Sequence, residues 1–127
     1  MTGEHIVQEP PYKLVIFMKR RPGLTPEAFR DYYENCHVPL CARYMRGVTH
    51  YVRRYVQPLP DPATGAPVEM EYDVITEVWF EDRTIFDAVL AAAKADAMPD
   101  DVKRDEEQLF DRAKARFTTV IEYETAC

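Results

Sequence analysis

His37 is the residue of this sequence whose type and position best suit acid–base chemistry. It lies one helical turn after Tyr33 and two residues before Pro39, whose missing N–H must interrupt the helix. A histidine among apolar residues titrates near neutral pH, as a general acid or base must. We therefore predict a catalytic role for His37. The alternative is structural, with the His37 ring bonded to the Asn35 carbonyl that Pro39 leaves without a donor.

Asp73 and Glu77 are two carboxylates that alternate onto one face of a predicted strand, together with Trp79. Carboxylates on a central strand need a partner or a wet pocket. We predict that Asp73 is catalytic, either orienting His37 or accepting a substrate proton, and that Glu77 contacts the substrate. The alternative is that both form ion pairs with basic residues of neighbouring strands, namely Lys19, Arg53 and Arg54.

Aromatic residues are predicted to line a slot for a planar ligand. The chain has eight tyrosines, whose rings offer apolar surface and whose hydroxyls donate hydrogen bonds. The predicted lining consists of Phe17, Tyr33, Tyr51, Tyr55 and Trp79. The alternative is that these rings pack in the core and in a dimer interface, where we also expect His50, on the same face as Val48 and Val52.

A basic cluster, Lys19-Arg20-Arg21, ends the first predicted strand. Arg20 is predicted to bind substrate by holding a carboxylate, as a decarboxylation would require. The alternative is an ion pair between Arg20 and Asp105 or Asp111 on a later helix.

Strands and helices that position these residues follow from hydrophobic periodicity. Alternation predicts strands over 12–19, 48–57, 72–81 and 116–124. Spacings of three and four predict a helix that begins after Thr25, breaks near His37 and continues to about Met45, and two more over 83–97 and 99–114. Residues 1–11 read as a flexible lead-in and 58–71 as a long proline-rich loop, within one domain spanning 1–127.

This order of elements predicts an α+β, ferredoxin-like βαββαβ fold. Its four-stranded antiparallel sheet has helices on one face only. Because the other face also carries apolar side chains, we expect a second copy to cover it. The predicted assembly is a homodimer in which two sheets form a dimeric α+β barrel.

Composition excludes several classes of protein. The 127 residues carry a formal net charge of −6, unlike the basic footprint of a nucleic-acid binder. The longest apolar run, at 14–18, is far shorter than the roughly 20 residues of a membrane span. Three cysteines without a C-x-x-C pair favour a reducing, cytoplasmic location, and three scattered histidines predict no metal site.

The stretch from 19 to 40 resembles the signature of EthD-domain proteins. That signature runs from a basic strand end through Pro-Gly and a Thr-Pro helix start to His-x-Pro-Leu. The matching residues here are Lys19, Arg20, Pro22, Gly23, Thr25, Pro26, Phe29, His37, Pro39 and Leu40. Segments 72–82 and 105–111 are similar to two further family motifs, although Val74 stands where the family often has glycine.

The resemblance implies a dimeric α+β barrel that needs no metal or organic cofactor. EthD relatives occur in catabolic operons for ethers and other xenobiotics. Others act in polyketide pathways as decarboxylases, dehydratases or cyclases on aromatic intermediates.

We therefore expect a cofactor-independent lyase or cyclase acting on an aromatic or polyketide-like small molecule. The reaction would be decarboxylation, dehydration or ring closure, with His37 as general acid and base and a tyrosine hydroxyl or Asp73 in support. Two alternatives stay open. One is a cofactor-free monooxygenase of the same barrel fold, and the other is a non-catalytic, dimeric small-molecule-binding or accessory protein of a catabolic pathway.

Overall fold

The computed structural model of the chain describes residues 9–127. Its sheet contains β1 (Tyr12–Met18), β2 (Val48–Tyr55), β3 (Val74–Phe80) and β4 (Arg116–Thr118) in the spatial order β2-β3-β1-β4. Every neighbouring pair is antiparallel. This confirms the predicted α+β architecture and its four-stranded antiparallel sheet. Most of the predicted lead-in lies outside the described residues.

The helices that accompany the sheet are α1 (Pro26–Tyr32), α2 (Val38–Ala42), α3 (Arg83–Lys94) and α4 (Asp100–Leu109). The hydroxyl of Thr25 caps α1 by accepting a hydrogen bond from the Ala28 N–H at 3.1 Å. Asp82 caps α3 in the same way, through the N–H groups of Thr84 and Ile85. A short 3₁₀ turn, Arg112–Lys114, leads from α4 to β4.

A π-helical turn, Tyr33–His37, joins α1 to α2 where the sequence predicts a break. The Val38 N–H donates to the carbonyl of Tyr33, five residues back, so the helix widens by one residue before Pro39. The predicted break is therefore a widened helical turn, and the helix continues beyond it as α2. It stops at Ala42, three residues before the predicted end.

Helices pack on one face of the sheet and form the core with it. Leu14, Ile16 and Met18 of β1 alternate onto this face. The other members of the buried cluster are Phe29, Tyr33, Val74, Val78, Phe80, Phe86, Leu109 and Phe110. No helix among residues 9–127 has the length and apolar character needed to cross a membrane.

A β-bulge separates Val48 from His50 in β2. Because the bulge adds one residue to the strand, Val48 packs against the core while His50 stacks on Trp79 of the opposite face, 4.7 Å between ring centroids. The prediction that Val48 and His50 share a face is therefore wrong. Gly47, with φ of +83°, makes the turn into this strand.

All four predicted strands are longer than the observed ones, and β3 and β4 differ in ways that move side chains. β3 begins at Val74, and the Tyr72 ring before it contacts Phe17 at 5.4 Å instead of joining the face of Val74. β4 ends at Thr118, so the alternating residues from Thr119 to Glu124 are not paired into the sheet.

Candidate active site

A cavity of about 120 Å³ lies between the sheet and the helices. Its sheet wall is mostly apolar and includes Leu14, Ile16, Val78 and Phe80. Its polar lining comes from both layers and includes Tyr33, His37, Cys41, Tyr51, Thr76 and Glu106. An apolar cavity of about 150 Å³ holds benzene, so this volume is that of roughly one aromatic ring.

His37 is buried at the junction of the π-helical turn and α2, with 2% of its surface exposed. Its Nδ1 lies 2.8 Å from Oδ2 of Asp105, which α4 supplies. Its Nε2 lies 3.3 Å from Sγ of Cys41. The structural alternative, a bond from the ring to the Asn35 carbonyl, is therefore wrong, because side chains engage both ring nitrogens.

The Asp105 carboxylate fixes the tautomer of His37. An ionised carboxylate only accepts hydrogen bonds, so Nδ1 carries the proton and Nε2 presents a lone pair. The Cys41 thiol donates to that lone pair in the resting protein. Burial lowers the pKa of His37, and the hydrogen bond with Asp105 opposes this without overcoming it. The ring is thus a neutral base that an oriented carboxylate supports.

Asp105 is itself held in place by a second residue of the broken helix. The Tyr32 hydroxyl donates to Oδ1 of Asp105 at 2.5 Å, while His37 occupies Oδ2. This hydrogen bond raises the pKa of Tyr32 to about 12, so Tyr32 stays a donor at neutral pH. Asp105 therefore has both oxygens occupied and little freedom to turn away from His37.

Tyr33 and Tyr51 add protonated hydroxyls to the cavity. The hydroxyls of Tyr33 and Thr76 are hydrogen-bonded at 2.6 Å across the buried layer. Burial raises the pKa of Tyr33 and of Tyr51. Tyr51 also interacts with the Cys41 thiol, beside His37. The two hydroxyls also interact with each other, and both keep their protons at any ordinary pH.

Glu106 follows Asp105 on α4 and lines the same cavity. Its Oε1 lies 3.3 Å from Nε of Arg112. Burial, with the nearby carboxylates of Asp96 and Asp105, raises the pKa of Glu106 to about 7, against the pull of Arg112 and Lys103. The cavity thus has a base with a lowered pKa and an acid with a raised one. This separation is typical of acid–base sites.

The sequence profile of the EthD domain matches residues 21–113. This match covers most of the chain and includes His37, Cys41, Asp105 and Glu106. The chain belongs to the EthD family. A search of curated proteins finds no match to it.

Solved structures show the same fold at low sequence identity. An EthD family protein from Bacillus halodurans is 18% identical and covers 90% of this chain and 99% of its own, with a TM-score of 0.52. The solution structure of a hypothetical Arabidopsis thaliana protein is 15% identical and covers 92% of both chains, with a TM-score of 0.54. An ensemble refinement of the crystal structure of that plant protein gives a TM-score of 0.55.

Asp73 and Arg20 lie together in this EthD domain, but away from the cavity of His37. Nη1 of Arg20 donates to Asp73 Oδ1 at 2.5 Å, and Glu69 of the proline-rich loop pairs with Arg20 and Lys19. Arg20, Glu69 and Asp73 border a separate, open cavity of about 470 Å³, which Tyr55 also lines. Asp73 does not orient His37, and the alternative pairing of Arg20 with Asp105 or Asp111 is wrong.

Phe17, Glu77 and Trp79 lie on the sheet face that the helices of the EthD domain leave uncovered. Trp79 Nε1 donates to Glu77 at 2.9 Å, and Arg54 pairs with the same carboxylate at 2.9 Å. Tyr33, Tyr51 and Tyr55 pack on the opposite face. The sheet therefore divides the predicted aromatic slot, and only Tyr33 and Tyr51 of its five residues line the His37 cavity.

Asp105, Glu106 and Cys41 are site residues that sequence reasoning missed in the EthD domain. Both carboxylates lie in segment 105–111, which resembles a family motif too weak to point to the site alone. Cys41 follows His37 by four residues, a helical spacing that a break at His37 would have destroyed. Among residues 9–127, no three His, Cys, Asp or Glu side chains converge as metal ligands.

Proposed function

We propose that this EthD domain is a cofactor-independent lyase or cyclase that acts on an aromatic or polyketide-like small molecule. The reaction class is decarboxylation, dehydration or ring closure. The observation that carries the proposal is the hydrogen-bonded chain from Asp105 through His37 to a ring-sized cavity. A base, an orienting carboxylate and a mostly apolar cavity favour proton-transfer chemistry of this kind.

Each group has a role in the proposed reaction. Nε2 of His37 takes a proton from the substrate after the substrate displaces the Cys41 thiol. Asp105 stabilises the imidazolium that results, at 2.8 Å from Nδ1. The Tyr51 hydroxyl donates a hydrogen bond to the substrate oxygen on which negative charge develops. The proton then returns from His37 to the product or to the leaving group.

Hydrogen–deuterium exchange into acetophenone tests this proposal with a simple ketone in place of the natural substrate. Acetophenone has one ring, matching the cavity, and a carbon acid next to a carbonyl. In heavy water, a base at Nε2 removes a methyl proton and returns deuterium. We expect the protein to accelerate this exchange, measured by proton NMR, and His37→Gln to slow it at least tenfold, within the usual contribution of a general base.

His50→Gln is the matched control, because His50 is an exposed histidine on the other face of the sheet. It should leave the exchange rate unchanged. The proposal is contradicted if the wild-type protein exchanges acetophenone no faster than buffer, or if His37→Gln is as fast as wild type. Binding of acetophenone without exchange would instead favour a non-catalytic binding protein.

A further inference from the structure

Glu106 is a mostly buried carboxyl group that the proposed reaction does not yet use. Its side chain is 15% exposed, and it lines the cavity of His37. Oε1 forms an ion pair with Arg112, 3.3 Å from its Nε. Because Glu106 and His37 line one cavity, both are placed to exchange a proton with the same ligand.

Charged groups around Glu106 favour its protonated form. Arg112 is shared, because its Nη2 also donates to Asp96 at 3.2 Å. On α4, Lys103 attracts and Asp105 repels the negative charge, and Asp96 repels it from the end of α3. His37 and Cys41 of the broken helix line the same cavity and are neutral. With its pKa near 7, Glu106 carries a proton in a substantial part of the population at neutral pH.

The same surroundings make the cavity unfavourable for an anion. The carboxylates of Glu106, Asp105 and Asp101 all raise the pKa of the Cys41 thiol, to which burial contributes most. Even when Glu106 is protonated, Asp105 and Asp101 therefore contribute a negative potential where a ligand would meet Nε2 of His37. Apart from His37, the only basic residue in the described part of the chain that lines the cavity is Arg46, which is exposed and screened by water.

We propose that Glu106 is a second acid–base residue of this site, which donates a proton to the carbonyl oxygen of a neutral, ring-sized ligand and excludes carboxylates. The inference rests on the proposed function and narrows its substrate class to neutral carbonyl compounds, which retains dehydration and ring closure and removes decarboxylation. His37 takes the proton from the carbon next to the carbonyl, and that electron pair forms the carbon–carbon double bond of an enol. The carbonyl oxygen takes the proton of Glu106. Reversal restores both residues, so no further reactant is needed.

A pair of matched probes tests this inference by binding alone. Acetophenone and benzoate have nearly the same shape, but only benzoate is anionic. We expect the wild-type protein to bind acetophenone at least tenfold more tightly than benzoate, measured by ligand-observed NMR titration. Acetophenone should also bind roughly fivefold to tenfold more weakly above the Glu106 pKa of about 7 than below it, because the lost hydrogen bond is worth about 1 kcal/mol.

Glu106→Gln keeps an N–H donor without a titrating proton. It should bind acetophenone with the same affinity at both pH values and lose the ability to accelerate deuterium exchange. Glu107→Gln is the control, since Glu107 is the exposed neighbour on α4, and it should keep the wild-type pH dependence. Equal binding of benzoate, or an unchanged pH dependence in Glu106→Gln, would overturn the inference.

The two proposals fail in different ways. If acetophenone binds with the expected preference and pH dependence but is not exchanged, the inferred ligand class stands and the enzyme proposal fails. If exchange depends on His37 while Glu106→Gln behaves as wild type, the enzyme proposal stands and the role of Glu106 is refuted.

Discussion

Asp105 lies 68 residues after His37 in the sequence, yet its Oδ2 is 2.8 Å from Nδ1 of the histidine. Helix α4 carries the carboxylate, and the π-helical turn carries the imidazole. Packing of these two elements on the sheet therefore selects the tautomer in which Nε2 carries a lone pair, which acts as a base once a substrate displaces the Cys41 thiol.

Asp105→Asn should weaken the base while leaving the fold intact. The amide oxygen can still accept the hydrogen bond from Tyr32, but the side chain no longer requires a proton on Nδ1 of His37. We expect the deuterium exchange rate of acetophenone to fall by one to two orders of magnitude. Catalytic triads lose more activity when the carboxylate that orients their histidine is replaced by an amide. Nitrogen-15 NMR of His37 should show the proton leaving Nδ1. An unchanged tautomer and rate would refute the orienting role, and Glu107→Gln serves as the control.

Protonation of Glu106 should make stability depend on pH. Its pKa is raised from 4.5 to about 7, so the folded protein holds a proton that the unfolded chain releases. The resulting stabilisation is complete below pH 4.5 and is lost as the pH rises to about 7, by at most about 3 kcal/mol. The urea-unfolding free energy of wild type minus that of Glu106→Gln should therefore fall as the pH rises over this range.

His37 contributes to the same pH profile with the opposite sign. Its pKa is lowered from 6.5, so the unfolded chain gains a proton first as the pH falls, and stability is lost below that value. This contribution is common to wild type and Glu106→Gln and cancels in their difference. A difference that stays constant with pH would show that Glu106 titrates normally.

Tyr33→Phe should destabilise the protein by about 1–2 kcal/mol. The substitution removes the 2.6 Å hydrogen bond to Thr76, whose side chain is 1% exposed and would lose its partner. Thr76→Val should cost a similar amount. The double substitution should cost less than the sum of the two single ones, because each single substitution leaves the other hydroxyl buried without this partner. Strict additivity in urea unfolding would contradict a coupled pair.

Gly47→Ala should cost more than Gly65→Ala. Both glycines have positive φ, +83° and +72°, so alanine carries a similar backbone penalty of about 1 kcal/mol at each. At Gly47 the new methyl group would also lie 2.7 Å from a side-chain carbon of Ile85, whereas nothing lies within 4 Å at Gly65. We expect a difference of about 1–2 kcal/mol in thermal unfolding. Equal losses would mean that Ile85 moves away freely.

The uncovered sheet face leads us to expect a homodimer in solution. Phe17, Ile75 and Trp79 lie on this face, which has no helix across it among residues 9–127. Light scattering should give twice the mass of the chain. Phe17→Glu should yield a folded monomer, whereas Glu27→Gln, on exposed α1, should remain dimeric. A wild-type monomer at high concentration would contradict the expected dimer.

Local patterns in the sequence were sufficient to predict the fold class. Alternating apolar residues mark β1 and β3, and the Thr25-Pro26 start marks α1, because these signals depend only on neighbours in the chain. The element order then leaves few ways to arrange one sheet. His37 was also found from the sequence, because a histidine on an apolar stripe before Pro39 is visible without any partner.

Tertiary structure decided which residues share the cavity with His37. A bulge of one residue after Val48 reverses the faces of β2, and the sheet separates Phe17 and Trp79 from the tyrosines. The predicted partner, Asp73, pairs with Arg20 instead. Asp105 reaches His37, and Glu106 reaches the cavity, only because the chain crosses the sheet and returns through α4. Sequence periodicity assigns a residue to a face of its own element, whereas contacts between elements depend on register and packing, which local patterns do not contain.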